Sequence, residues 1–152
     1  IDAVNHSIEA ATTKVASPLS ISTAKACIEL VAKYLPIINK DPQNKEARYY
    51  LLYASVLGGV SFDNGLLHFT HALEHPLSGI KPKLSHGLGL AMILPAVVKY
   101  IYPAKAKTLA SLFETIIPDL KGTPDEVFKN KDKIRSIGLI NPIIYELKEI
   151  GA

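Results

Sequence analysis

Four of the five histidines in this chain fall in one short stretch: His68, His71, His75 and His86. The fifth, His6, lies four residues after Asp2. On a helix, residues four apart face the same way, with Cβ atoms about 5–6 Å apart. Asp2 and His6 therefore form a pair able to chelate, one hard carboxylate oxygen beside one imidazole. The same two residues would equally serve as a helix-start carboxylate and an ordinary packing histidine. His71 and His75 repeat the four-residue spacing, and His68 stands one turn before His71. Three imidazoles near one stripe, beside Leu67, Phe69 and Leu73, could supply an all-protein transition-metal site. Each of them could also be a half-buried structural histidine. His86 follows a loop, and Gly87 beside it would admit a neighbouring group close to the backbone.

Other chemistries fit less well. His86-Gly87-Leu88-Gly89 contains a Gly-x-Gly, but no strand precedes it and the third glycine of a dinucleotide fingerprint is absent. Ser85 and His86 are adjacent, so on a helix they do not face each other as a nucleophile and its base.

The elements that must carry these side chains read as helices throughout. No alternating apolar and polar stretch is present, and Asp63-Asn64-Gly65 is read as a helix break rather than a hairpin turn. An Ala-rich helix is expected from Asp2 to about Thr13, followed by a loop at Pro18. Ser20 or Ser22 is expected to cap a second helix with Ala26, Leu30, Val31 and Leu35 on its apolar stripe, kinked or ended by Pro36. Asp41-Pro42 signals a third start, and that helix bears Tyr50, Ala54, Leu57 and Val60. Gly58-Gly59 would let another helix approach it closely. The histidine helix is expected from about Asn64 to His75, stopping at Pro76. After a loop, a helix from about Ser85 carries Leu88, Met92, Leu94 and Val98, and Pro103 opens another through about Ile117. Further helix starts are expected at Thr123-Pro124-Asp125-Glu126 and at Asn141-Pro142, the last running to about Glu149. The expected fold is all-α, a compact bundle of about six to eight packed helices in one domain over 1–152.

Composition narrows the function classes. With 152 residues and 48% hydrophobic side chains, the chain can bury a sizeable core. The net charge of +3 is scattered, so a basic nucleic-acid face is not expected. Lys129-Asn130-Lys131-Asp132-Lys133 reads as a solvated helix face. The single cysteine, Cys27, excludes an internal disulfide and is expected to be a buried thiol. No apolar run approaching the ~20 residues of a membrane span was found, and no secretory pattern is visible. A cytoplasmic protein without a membrane partner is expected. The chain opens on Ile1 and directly on a helix, which points to an upstream part that is missing.

These motifs resemble a known family. Asp2-Ala3-Val4-Asn5-His6-Ser7-Ile8-Glu9-Ala10 is similar to the Asp-Ala-x-x-His-x-x-Glu-Ala segment of the iron-containing alcohol dehydrogenases, and Ala16-Ser17-Pro18 to the loop that follows it. His71-Ala72-Leu73-Glu74-His75-Pro76-Leu77 resembles the family's His-x-x-x-His-Pro signature. Ser85-His86-Gly87-Leu88-Gly89-Leu90-Ala91 with Leu94-Pro95 resembles the stretch that closes it. The order and spacing agree over roughly the first two-thirds of the chain, and the tail after Tyr102 is less specific.

The resemblance implies a dehydroquinate synthase-like helical domain, the C-terminal part of a larger enzyme whose nucleotide-binding domain is absent here. It implies Asp2, His6, His71 and His86 as ligands of Fe²⁺ or Zn²⁺. It places His75 beside substrate and nicotinamide as the catalytic candidate for orientation or proton relay, and leaves His68 a supporting or structural part. The implied reaction interconverts a small alcohol with an aldehyde or ketone, hydride passing to or from NAD or NADP. The residues that bind the nucleotide would belong to the missing domain. A zinc-dependent polyol dehydrogenase of glycerol type, or a non-catalytic helical metal-binding module, are the alternatives.

Overall fold

A computed structural model describes residues 1–114 and Ile116. Five helices follow in chain order: α1 (Asp2–Thr12), α2 (Pro18–Lys40), α3 (Lys45–Asp63), α4 (Phe69–Ile80) and α5 (His86–Phe113). Among the described residues there is no strand, so the chain is all-α as its periodicity requires. The number is smaller than six to eight for two reasons. The two helices expected on either side of Pro103 are counted as one element although they are divided by a kink at Lys105, and the starts expected at Thr123 and Asn141 lie outside the described residues, as does the Lys129 to Lys133 run.

α1 is the central element, packed against all four others. Val4, Ile8 and Ala11 recur at spacings of four and three and join the core with Ala24, Cys27, Ile28 and Val31 of α2, Ala54 of α3, and Val97, Ile101 and Leu109 of α5. Helix residues at such spacings share one face. Gly58 of α3 lets α1 come close: a Cβ there would stand 2.9 Å from the Ala3 carbonyl oxygen. Gly59 has open space instead, so only one glycine of the pair serves the approach. Cys27 is fully buried.

The caps explain where the helices start. Ser17, not Ser20 or Ser22, caps α2: its Oγ accepts from the Ser20 N–H at 3.0 Å, and the Ser20 Oγ accepts from the Ser17 N–H at 2.9 Å. This reciprocal pair satisfies two otherwise orphaned donors. Asn44, not Asp41, caps α3, its Oδ1 accepting from the Ala47 N–H at 2.9 Å.

The prolines act as interruptions rather than ends. α2 continues through Pro36 to Lys40, α4 through Pro76 to Ile80, and α5 through Pro95 and Pro103 to Phe113. An interior proline removes one backbone hydrogen bond and bends the helix, which packing can tolerate. In α5 the bend falls at Lys105, the one residue inside it with non-helical angles (φ −128°, ψ 15°). The Lys105 ammonium donates to the Thr13 carbonyl at 3.2 Å and ties the bend to the end of α1. With 28 residues and a mean hydropathy of 1.4 over its most apolar window, α5 is long and apolar enough to cross a membrane by length and composition. That corrects the expectation of no such run. Leu90, Ala91, Val97, Ile101, Leu109 and Leu112 of α5 are buried inside the bundle.

The histidine segment departs most from expectation. Residues 64–68 form a connector, not a helix. Leu66 takes a left-handed conformation (φ 66°), which turns the chain so that α4 begins only at Phe69.

Candidate metal centre

The centre is assembled where α1, the start of α4 and the start of α5 meet. Asp2, His6 and Glu9 lie along one face of α1 at successive spacings of four and three. His71 and Glu74 lie three apart on the inner face of α4, and His86 opens α5. Asp2 Oδ1 stands at the centre, 3.3 Å from His6 Nε2, 3.3 Å from His71 Nε2 and 3.6 Å from His86 Nε2. Donors bound tetrahedrally at about 2.1 Å from one cation stand about 3.4 Å apart. The carboxylate oxygen of Asp2 and the imidazole nitrogens of His6 and His71 fit a single divalent metal of the iron or zinc kind, and His86 Nε2 approaches the same oxygen from the start of α5. The donor atoms of Asp2, His6 and His71 all lie within 4.8 Å of one another; those of Glu74, His75 and His86 form a second such group, which meets the first where His86 Nε2 faces Asp2 Oδ1.

Two buried carboxylates stand behind the imidazoles. Glu9 Oε2 receives the His71 Nδ1–H. Its other oxygen, Oε1, accepts the backbone N–H groups of His68 at 3.1 Å and Thr70 at 2.7 Å. Glu74 Oε2 receives the His86 Nδ1–H at 2.5 Å, and Glu74 Oε1 accepts the Ser78 hydroxyl at 2.5 Å. Each bond occupies Nδ1 and leaves the Nε2 lone pair for the cation, an arrangement that fixes tautomer and ring orientation at metal sites. Both glutamates stand inside the sequence motifs named above, with no role assigned to either there. Their signal was spacing alone: Glu9 one turn after His6, Glu74 one turn after His71.

The electrostatics favour a cation. The hydrogen bond with His71 holds the Asp2 carboxyl below its ordinary range against some burial, and the charges of His6 and His86 add to it. Burial pushes Glu9 and Glu74 upward, but their histidine, backbone and Ser78 bonds more than reverse it, and both end lowered. Burial lowers His6. Burial also opposes charge on His71, yet its bonds to Asp2 and Glu9 outweigh that and raise it to about 9. With no cation bound, His71 therefore carries a proton between the two carboxylates at neutral pH.

His75 and His68 part company. His75 is exposed, and its ring lies 6.0 Å from that of His71 and 5.8 Å from that of His86. It borders the cluster from the open side. His68 is the N-cap of α4 rather than a member of its stripe: its Nδ1 accepts the Phe69 N–H at 2.7 Å. Its Nε2–H is then left to donate to Thr12 Oγ1 at 2.8 Å. Both ring nitrogens are engaged in holding the helix start. Gly87 meets nothing within 4 Å of a would-be Cβ, so no close approach uses it. A separate groove of about 450 Å³ between α2 and α3, lined by Leu30, Tyr53 and Leu57 among others, shares none of these residues.

Residues 1–151 match the model of the Fe-containing alcohol dehydrogenase family, C-terminal. The chain belongs to that family. Among relatives of this iron-containing family is the long-chain primary alcohol dehydrogenase AdhA of Thermoanaerobacter ethanolicus, 63% identical over 126 residues, which are 83% of this chain and 32% of that protein. The 1,3-propanediol dehydrogenase of Klebsiella pneumoniae is 31% identical over 99% of this chain and 39% of its own length. The crystal structure of a 1,3-propanediol oxidoreductase superposes with a TM-score of 0.77 at 29% identity, over 90% of this chain and 37% of that one. The chain thus spans about a third of the length of the curated relatives it matches.

Proposed function

We propose that this chain is the metal-binding part of an NAD(P)-dependent alcohol dehydrogenase, with Asp2, His6, His71 and His86 as the ligands of one Fe²⁺ or Zn²⁺. The observation that carries the reading is the convergence of three Nε2 atoms on Asp2 Oδ1 within 3.3–3.6 Å. Bound there, a divalent cation supplies Lewis acidity toward an alcohol or carbonyl oxygen. The chain's own residues do the positioning. Glu9 and Glu74 hold their histidines' Nδ1–H, and His6 stacks on His71 with ring centroids 4.9 Å apart. His75, exposed beside His71 and His86, is the proposed group that orients the substrate or relays its proton.

The second wall of the cleft, with the nicotinamide that exchanges hydride with the carbinol carbon, belongs in this reading to a nucleotide-binding domain outside the chain. The substrate is then a small alcohol with its aldehyde or ketone. The name of the 63% identical relative favours a primary alcohol and its aldehyde. A cytoplasmic setting goes with this reading.

Titration of the chain with Zn²⁺, and with Fe²⁺ under anaerobic conditions, tests it. One equivalent is expected, with binding strongly weakened in His71→Ala and His6→Ala. No stoichiometric binding of either metal would refute the ligand assignment. The isolated chain is expected to show no turnover with NAD⁺ and a primary alcohol; measurable turnover would refute the need for a second domain.

A further inference from the structure

Glu74 is fully buried although it is charged, and its two carboxylate oxygens have one partner each: Ser78 Oγ and His86 Nδ1, both at 2.5 Å. The space it occupies exists because residue 89 is glycine. A Cβ on Gly89 would stand 2.6 Å from Glu74 Oε1, 2.9 Å from Cγ and 3.1 Å from Cδ. Those atoms cannot swing away without breaking both hydrogen bonds. The Nδ1 side of His86 has only this carboxylate, while its Nε2 faces Asp2 Oδ1 at 3.6 Å and its side chain, in the first turn of α5, is 39% exposed. A half-exposed imidazole with free rotation would present either nitrogen to the site.

We infer that Glu74, seated by Gly89 and braced by Ser78, is the positioning residue that fixes His86 with Nε2 toward the cation. The inference rests on the proposed role of His86 as a ligand. Glu74 touches neither metal nor substrate in this arrangement, so its effect passes through His86 alone. Removing a carboxylate behind a ligating histidine typically costs 10- to 100-fold in metal affinity.

The test is Zn²⁺ titration of the full 152-residue chain and its variants, with circular dichroism to check folding. Glu74→Ala is expected to weaken Zn²⁺ binding roughly 10- to 100-fold. Glu74→Gln, whose amide oxygen can still accept the Nδ1–H, should recover the larger part of that loss. Gly89→Ala should weaken binding as Glu74→Ala does, because it displaces the same carboxylate. The decisive readout is coupling. Glu74→Ala should add no further loss in a His86→Ala background, and its full factor in a His6→Ala background. Equal added loss in both backgrounds would overturn the inference, since the effect would then be general to the fold. So would unchanged affinity in Glu74→Ala where His86→Ala binds weakly, a result that leaves the ligand assignment standing. Unchanged affinity in His86→Ala would instead remove His86 from the ligand set and the inference with it.

Discussion

Glu9 and Glu74 each offer a carboxylate to the Nδ1 of a histidine, but the two pairs sit in different surroundings. Glu9 and His71 are both buried, and Glu9 also accepts two backbone N–H groups at the start of α4. Glu74 is equally buried, yet its histidine stands at the rim with a side chain 39% exposed. The first pair ties α1 to α4 and belongs to the fold as much as to the site. The second joins α4 to α5 with one side chain free to meet solvent. The difference teaches that one wall of the centre is tied into the buried core, and the other hangs on a hydrogen bond to a half-exposed ring.

Glu9→Ala should break the comparison most severely. It leaves His71 without its buried partner and leaves the His68 and Thr70 N–H groups unpaired. Breaking a buried pair from one side costs about 3–5 kcal/mol, so urea unfolding should show a loss of that order. A loss below 1 kcal/mol would mean that the α1 wall is not held by this carboxylate.

The pH dependence follows from the same pair. His71 is raised above its ordinary value, to about 9, so its contribution to stability is fully present below the unfolded value of about 6.5. It declines as pH rises through 9. Asp2 and Glu9 are lowered, so theirs is present above the ordinary carboxylate range and lost as pH falls. With chelator present, the stability difference between the parent chain and His71→Ala should shrink from pH 6.5 to 9. Urea unfolding at stepped pH measures it, and a difference that stays flat would show that no proton is shared between the two carboxylates.

How much of this was legible beforehand depended on the kind of signal. The helical class was readable from period and caps, and the histidines from spacing and type. The helix ends expected at Pro36 and Pro76 are absent because proline weakens a helix without always stopping it, whereas the division expected at Pro103 is present as the kink at Lys105. Ser78 bonds Glu74 across Pro76, and Lys105 anchors the bend after Pro103, compensations that need the folded chain. The stretch from Asn64 to His68 has helical spacing on paper, but Leu66 turns left-handed there. His68 therefore became a cap instead of a stripe member. Glu9 and Glu74 stayed invisible for a different reason. A glutamate on an amphipathic helix reads as solvated, and only packing against another element shows that it is buried.

At the rim the expected stability effect is smaller. His86→Ala removes one hydrogen bond to a charged group while Ser78 keeps the other, so a loss of about 1.5–3 kcal/mol is the upper range. Because the imidazole is half-exposed, we expect the lower end in urea unfolding, below the Glu9→Ala loss. A loss equal to that of Glu9→Ala would erase the distinction between the two walls.

The smallest effect sharpens the comparison from upstream. Leu66 holds a left-handed backbone that costs a side-chain-bearing residue about 1–2 kcal/mol, and its side chain is 60% exposed, so little burial offsets it. Glycine takes that conformation freely but loses about 0.5–1 kcal/mol of chain entropy on folding. Leu66→Gly should therefore stabilise the chain by about 0–1.5 kcal/mol by these same figures. Glu9 pins the α4 start from the other side, so the turn does not set where His71 stands. Zn²⁺ affinity should then be unchanged in this variant, measured by the same titration. A changed affinity would show that the strained connector, and not the buried carboxylate, places the α4 ligand.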